Sequence, residues 1–275
     1  MNKYDNLLTP TMIVPLWARA LDSQSSEPIL GDRKAYELLQ KLGYNLDYLD
    51  KNKQRMSYVG CCLRAKWIDD EAKQFIAANA PCQVIQLGAG LDDRFRRMGF
   101  PEAVEKWYDL DLPEVANIRR ELIGESERST ILSQDLFDYS WMDPIVEKQL
   151  PTLVIIEGVL MYFSQEQIRE LFEQIAQRLG QATILFDSVS DKIVNRARYH
   201  DSVQKNNNEN IEFTWSATDE KYLAQLSPVI KDIKLLHITD LPEARHMPML
   251  YKILVKIPYV YKHYNQLLIR LILKR

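Results

Sequence analysis

Residues 84–95 read VIQLGAGLDDRF: a short apolar run, then Gly88 and Gly90, then the adjacent carboxylates Asp92 and Asp93 opening a helical stretch. A glycine turn after a strand is the usual cradle for a nucleotide phosphate, because it turns tightly and lets the ligand reach backbone N–H groups. A dinucleotide site would place a third glycine where Asp93 stands. Two carboxylates at the positive end of a helix dipole would repel a pyrophosphate. They suit a phosphate-free cofactor that brings positive charge, and S-adenosylmethionine, with its sulfonium and α-ammonium groups, meets both conditions. One of the two acids is also expected to cap the helix.

Such a site needs an acid about twenty residues past the first glycine to accept from ribose hydroxyls. WYDLDLP offers Asp109 and Asp111. Asp111, with Leu112 beside it, stands closer to the strand end; Asp109 reads as a solvated strand-end charge. Next, SQDLFD offers Asp135 for the adenine amine and Leu136 for the ring face, and Glu157 ends a further apolar run just before Gly158. Arg64 lies one turn from Cys61 and Ile68, on the margin of a buried stripe. It either snorkels there or meets a carboxylate, such as the methionine end of the cofactor. For proton removal from an acceptor, His200, Tyr162 and Tyr199 are in suitable places, but a lone surface histidine is more often structural, so the catalytic residue stays unassigned. An acceptor pocket is expected between Trp17, Arg19 and Tyr58 and the segment 188–216, with an aromatic content suited to a planar or hydrophobic acceptor.

These residues have to be positioned by elements, and the chain divides near residue 80. Before it, PLWARALDS, DRKAYELLQKLG with Gly43 as its stop, and QRMSYVGCCLRAKWIDDEAKQFIAAN read as helices. In the last, Tyr58, Cys61, Ala65, Ile68, Ala72 and Phe75 recur every three or four residues, the mark of an amphipathic helix. This gives an N-terminal helical cap over 1–80, which also carries the arginine. After Pro81, the runs QVIQLG, EKWYDLDL, STILSQDL, PTLVIIEG and ATILFDS read as buried strands alternating with helices, hence a parallel sheet over 81–275. Between them, Ser164, Gln167 and Gly180 cap one helix at both ends. A substrate-side segment is expected around 188–230, with a loop at 205–210. Further on come a helix at 217–226, an apolar run at 233–238, a helix around 243–256 and a last strand in QLLIRLILK.

The bulk composition narrows the function. The 275 residues are 46% hydrophobic and 27% charged, ordinary for a globular enzyme. A net charge of −3 gives no electrostatic footing for nucleic acid. The N-terminus lacks the basic-then-apolar layout of a signal peptide and no apolar run is long enough for a bilayer, so a cytoplasmic protein with no membrane partner is expected. Cys61, Cys62 and Cys82 read as core residues of a reducing compartment, and the four histidines are too scattered to hold a metal.

RAKWIDDEAKQFI, VIQLGAGLDDRFRRM, WYDLDLPEV, ESER, EGVLMYFSQEQIREL and ILFDSVS together resemble the leucine carboxyl methyltransferase superfamily. The likeness is greater to its bacterial branch, typified by a polyketide O-methyltransferase of tetracenomycin synthesis, which IVPLWARALDSQSSEPILGDRKAYELL and FTWSATD also match. The resemblance implies a class I S-adenosylmethionine-dependent methyltransferase: a Rossmann-like α/β fold with a seven-stranded, mostly parallel sheet and an N-terminal helical cap. It implies Arg64 on the methionine carboxylate, Gly88 along the amino-acid moiety, Asp111 at the ribose, Asp135 and Leu136 at the adenine, and Glu157 near the methionine amine; Gly90 and Leu112 are expected among the cofactor-binding residues. The family's turn commonly has Thr where this chain has Asp93. The expected activity is O-methylation of a small-molecule hydroxyl or carboxylate, possible alternatives being a protein C-terminal carboxyl methyltransferase or a non-catalytic cofactor-binding protein. The leucine pocket of the protein-methylating branch has no match in this sequence.

Overall fold

The computed structural model describes residues 9–43, 46, 49–146, 149–194 and 212–275; Tyr199, His200 and the stretch 205–210 lie outside them. Seven strands form one sheet: β1 (Cys82–Leu87), β2 (Val104–Asp111), β3 (Ser129–Ser133), β4 (Thr152–Ile156), β5 (Gln181–Ser188), β6 (Ile230–His237) and β7 (Leu267–Lys274). Their spatial order is β3-β2-β1-β4-β5-β7-β6. The pairs among β1 to β5 are all parallel, and β7 runs antiparallel to both β5 and β6. The order reverses at β1, so the crevice beyond the carboxyl ends of β1 and β4 is where a doubly wound sheet takes its ligand.

Both faces of the sheet are covered, which is why β1 and β4 are buried at every position. Side chains alternate across a strand. Val84, Leu153, Ile155, Leu185 and Leu268 therefore join one core cluster, and Ile85, Leu87, Val154, Ile156 and Phe186 join the other. The first face is covered by α3 (Arg55–Ala78), the second by α7 (Gln165–Leu179). The α7 ends are those read from the sequence: Ser164 Oγ accepts from Gln167 N at 3.3 Å, Gln167 Oε1 accepts from Ser164 N at 2.9 Å, and Gly180 closes the helix. In α3 the expected single stripe is too narrow. Val59, Cys62, Leu63 and Trp67 are buried as well, because the helix is covered by the sheet on one side and by the N-terminal helices on the other.

Those helices are α1 (Pro10–Ser23) and α2 (Arg33–Leu42). Asp32 caps α2 by accepting from Ala35 N at 3.1 Å, and Gly43 ends it in the left-handed region. Short helices α4 (Arg94–Arg97), α5 (Pro113–Leu122) and α6 (Asp143–Val146) follow β1, β2 and β3. Further on, α8 (Glu220–Leu226) begins after Asp219, whose side chain accepts from Tyr222 N at 2.9 Å. The single helix expected around 243–256 is divided: a 3-10 turn at Pro242–His246, then α9 (Met249–Leu254) starting after Pro248, then α10 (Pro258–His263). The prolines explain the division, since each fits a first helical turn but not an interior.

Candidate active site

At the carboxyl edge of the sheet, Gly88 follows β1, Asp111 ends β2, Asp135 and Leu136 follow β3, and Glu157 follows β4. A cavity of about 530 Å³ opens there, and its wall includes Arg64, Gly88, Gly90, Asp111, Leu112, Asp135, Leu136 and Glu157. The structure thus brings together every binding residue expected from the sequence.

The glycine turn is built for close approach. Gly88 has φ +65°, and a Cβ there would lie 2.5 Å from Val159 Cγ2, so strand β1 and the loop after β4 can meet only over a glycine. Asp111 closes the turn from the neighbouring strand: Oδ2 accepts from Gly90 N at 2.6 Å and Oδ1 from Leu112 N at 2.8 Å. Each oxygen retains a lone pair for a ligand. Burial nevertheless pushes this carboxyl above its ordinary range. Asp135 is exposed, and its Oδ1 accepts from Phe137 N at 2.8 Å, so it also shapes its own turn.

Two expectations are corrected. Asp109 is not solvated: it is 7% exposed, accepts from Trp107 Nε1 at 2.9 Å and pairs with Arg119 Nη2 at 2.5 Å. Arg119, fully buried on α5, also donates Nη1 to the carbonyls of Gly90 at 2.7 Å and Asp92 at 3.0 Å. Asp109 therefore anchors the arginine that holds the glycine turn from behind. The acidic pair is also not an open negative patch. Asp92 is enclosed by Arg19 at 3.8 Å, Arg94 at 3.0 Å and Arg97, while Asp93 pairs with Arg96 at 3.2 Å. Burial raises the Asp92 pKa, but the Arg97, Arg19 and Arg94 guanidiniums outweigh it and hold it well below the usual carboxylate range. Neither acid caps the helix; Asp93 occupies the N-cap position without a side-chain cap bond.

Arg64 is also more than a snorkelling side chain. Its Nε donates to Glu157 Oε1 at 2.9 Å and its Nη1 to Asp187 Oδ2 at 3.3 Å, while the other Glu157 oxygen meets Arg94. Its Nη2 rests against Gly158, where a Cβ would come within 2.9 Å. That nitrogen has no hydrogen-bond partner among the described residues. Sequence reasoning missed Asp187, although it sits near the end of β5 at the same edge and also accepts from Gly158 N at 2.6 Å. It missed Gln86 too. Gln86 is 2% exposed, donates Nε2 to Asp92 at 3.2 Å, and leaves Oε1 buried on the cavity side without a partner.

A second cavity, about 450 Å³, adjoins the first through Thr11, Pro15, Arg64, Gly158 and Tyr162, which line both. It lies between the N-terminal helices and Val189, Ile193 and Phe213, as expected. Trp17 and Tyr58 do not line it; they pack edge to face in the core, ring centroids 6.2 Å apart. Arg19 borders the first cavity instead. Burial pushes the Tyr162 phenol up to about 12, so at neutral pH it is a hydrogen-bond donor and not a base. His200 and Tyr199 lie outside the described residues.

The leucine carboxyl methyltransferase model matches residues 12–176. The chain belongs to the leucine carboxyl methyltransferase family. Its family membership makes it an S-adenosylmethionine-dependent methyltransferase, as the names of its relatives state. The tetracenomycin polyketide synthesis O-methyltransferase TcmP of Streptomyces glaucescens is 31% identical over 189 residues, covering 69% of this chain and 68% of that protein. The S-adenosyl-L-methionine-dependent methyltransferase dpfgK of Gibberella zeae is 28% identical, and the match spans 60% of this chain and 59% of that one. A crystal structure of a putative methyltransferase from Thermobifida fusca shares the fold, with a TM-score of 0.54 over 94% of each chain at 13% identity. The site suits the family's cofactor: Arg64 Nη2, without a partner among the described residues, can donate to a carboxylate, and the orphaned Gln86 Oε1 is an acceptor for an ammonium group.

Proposed function

We propose that the protein methylates an acidic oxygen of a small, largely apolar molecule held in the second cavity. The observation that carries this reading is the charge of that cavity's wall. Among the described residues it includes the cations Lys53 and Arg64 and no Asp, Glu or His. An acceptor that needed its proton removed would find no base there, whereas a carboxylate or an acidic phenol arrives already ionised and meets Lys53, the cation of that wall not engaged by Glu157 and Asp187. The remaining wall, with Val14, Met56, Met161, Val189 and Phe213, suits an apolar body.

In this reading Arg64 Nη2 holds the methionine carboxylate and Gln86 Oε1 the ammonium. Asp111 accepts from the ribose hydroxyls, with Leu112 beside it, and Asp135 and Leu136 border the adenine. Gly88 and Gly90 admit the amino-acid moiety. Glu157 acts at one remove, fixing Arg64 between itself and Asp187. S-adenosylmethionine, when bound, supplies a methyl group already activated by its sulfonium. The protein has then to align the acceptor oxygen and exclude water, and alignment of this kind can contribute roughly 7–11 kcal/mol. Tyr162, at the junction of the cavities, is placed to donate to the acceptor and orient it.

The test is incubation with methyl-labelled cofactor and a panel of apolar carboxylic acids, phenols and neutral alcohols. Label should enter the acids or acidic phenols and not the alcohols. Alkali separates the two products, since a methyl ester is cleaved and an aryl methyl ether survives. Transfer to neutral alcohols alone would refute the reading, as would label found in a protein band and in no small product.

A further inference from the structure

Burying apolar side chains is the main driving force of folding and association, so large apolar groups gathered in water call for a partner. The stretch 249–264, MLYKILVKIPYVYKHY, spans α9 and α10. Met249 and Leu250 are 75% and 69% exposed, and Ile253, Leu254, Ile257 and Tyr259 are between 40% and 56% exposed. The same stretch contains Lys252, Lys256 and Lys262 and no Asp or Glu, although the whole chain has a net charge of −3. Lys256 and Lys262 are exposed and form no ion pair among the described residues. Two acids from outside the stretch do meet it, but at other side chains than these lysines: Asp191 at His263, 2.9 Å, and Asp240 at the Tyr261 hydroxyl, 2.8 Å.

We propose that residues 249–264 form a docking surface for an anionic lipid bilayer, with the apolar side chains seated among the acyl chains and Lys256 and Lys262 against the headgroups. Apolar residues interleaved with lysines on short helices lie in the interface plane and do not cross it. No helix among the described residues is long and apolar enough to cross a membrane. The local excess of lysine selects the occupant. A second copy of the chain, joined through this face, would oppose two lysine-bearing surfaces with no acid in either stretch, whereas anionic headgroups attract each lysine near the surface. This departs from the expectation, drawn from the sequence, of no membrane partner.

Continuity with the second cavity gives the surface a role. Tyr251 and Tyr264 line that cavity, Met247 lines it just before the stretch, and Tyr264 is 49% exposed. Docking would therefore set the cavity against lipid. Resting on the methyl-transfer reading above, this makes the acceptor an amphiphile with an acidic oxygen, drawn from the bilayer.

The test measures binding without cofactor or acceptor, so its failure is distinct from failure of the methyl-transfer reading. The purified protein is sedimented with phosphatidylcholine vesicles and with vesicles containing one-third phosphatidylglycerol. Partitioning should be at least about tenfold stronger onto the anionic vesicles and should weaken with added salt. Lys256→Glu with Lys262→Glu, and separately Leu250→Ser with Ile253→Ser, should each weaken it about tenfold or more while leaving the urea midpoint unchanged, since all four side chains are exposed. Equal partitioning by the wild type and both variants, or no binding to either vesicle, would overturn the proposal. So would a dimer abolished by the Leu250→Ser, Ile253→Ser change in a protein that ignores vesicles.

Discussion

Replacing Asp109 should damage the fold more than it damages any direct contact with ligand. Its carboxylate faces Arg119, a guanidinium with no exposure to solvent. Removing one partner of a buried pair leaves an uncompensated charge, at about 3–5 kcal/mol. Asp109→Ala also strips the acceptor from Trp107 Nε1. Out of a total stability of roughly 5–15 kcal/mol, this is a large fraction. Asp109→Asn keeps an oxygen for Trp107 and loses mainly the charge, so a smaller loss of about 1.5–3 kcal/mol is expected, which keeps the reasoning testable if the alanine variant does not fold. Asp111→Ala should behave oppositely. Asp111 is half-buried where water can reach the freed Gly90 and Leu112 N–H groups, so the fold should lose only about 1 kcal/mol, while two ribose hydrogen bonds are worth on the order of 2–4 kcal/mol of cofactor affinity. Urea unfolding followed by circular dichroism gives the first quantity, and calorimetric titration with S-adenosylhomocysteine gives the second. If Asp109→Ala stays within about 1 kcal/mol of the wild type, the Asp109–Arg119 pair does not hold the glycine turn and the reasoning fails.

Gly88→Ala should abolish cofactor binding, because the new methyl would overlap Val159; adding Val159→Ala should restore part of the affinity but not the backbone cost of φ +65°, about 1 kcal/mol or more. Equal binding by the single and double variants would show that the contact does not matter. Asp92 and Glu157 are both more acidic in the fold than outside it, where their guanidinium neighbours are lost. Such groups add stability above their unfolded pKa of about 4 and lose it as pH falls through the folded value. Urea stability should therefore drop on acidification below about pH 4, and Asp92→Asn should flatten that acid limb; parallel limbs would refute the assignment.

Much of the sheet could be read in the sequence because its signals are local. The runs that became β1 to β5 each hold a short apolar stretch between polar residues, and the Ser164–Gln167 box and Gly180 declare the ends of α7 within a few residues. The ligand edge was legible for the same reason: β2 ends in an acid, and β1, β3 and β4 are followed within two residues by a glycine or an acid. What could not be read depends on which of several charges meet in space. Arg94 and Arg97 stand within five residues of Asp92, but Arg19 comes from α1, and nothing in the sequence marks Arg119, ten residues on in α5, as the partner of Asp109. Asp109 and Asp111 sit two apart on one strand and look alike in sequence; only the arginine behind one of them separates an anchor from a ligand-facing group. Nor does periodicity show that β7 enters between β5 and β6, because antiparallel pairing over that separation has no short-range signature.

That insertion governs how the protein can be made. Residues 181–188 leave the ribosome long before residues 267–274, and until the latter arrive β5 presents an apolar edge with open hydrogen-bonding groups, while β6 has no strand to pair with among the described residues. Such an edge is a template for pairing with other chains. Synthesis that stalls between residues 240 and 266 would release a nascent chain that carries the whole glycine-turn half of the sheet and still cannot close it. Strand β7 is thus a molecular latch, and a premature stop within it should yield aggregates rather than a folded protein.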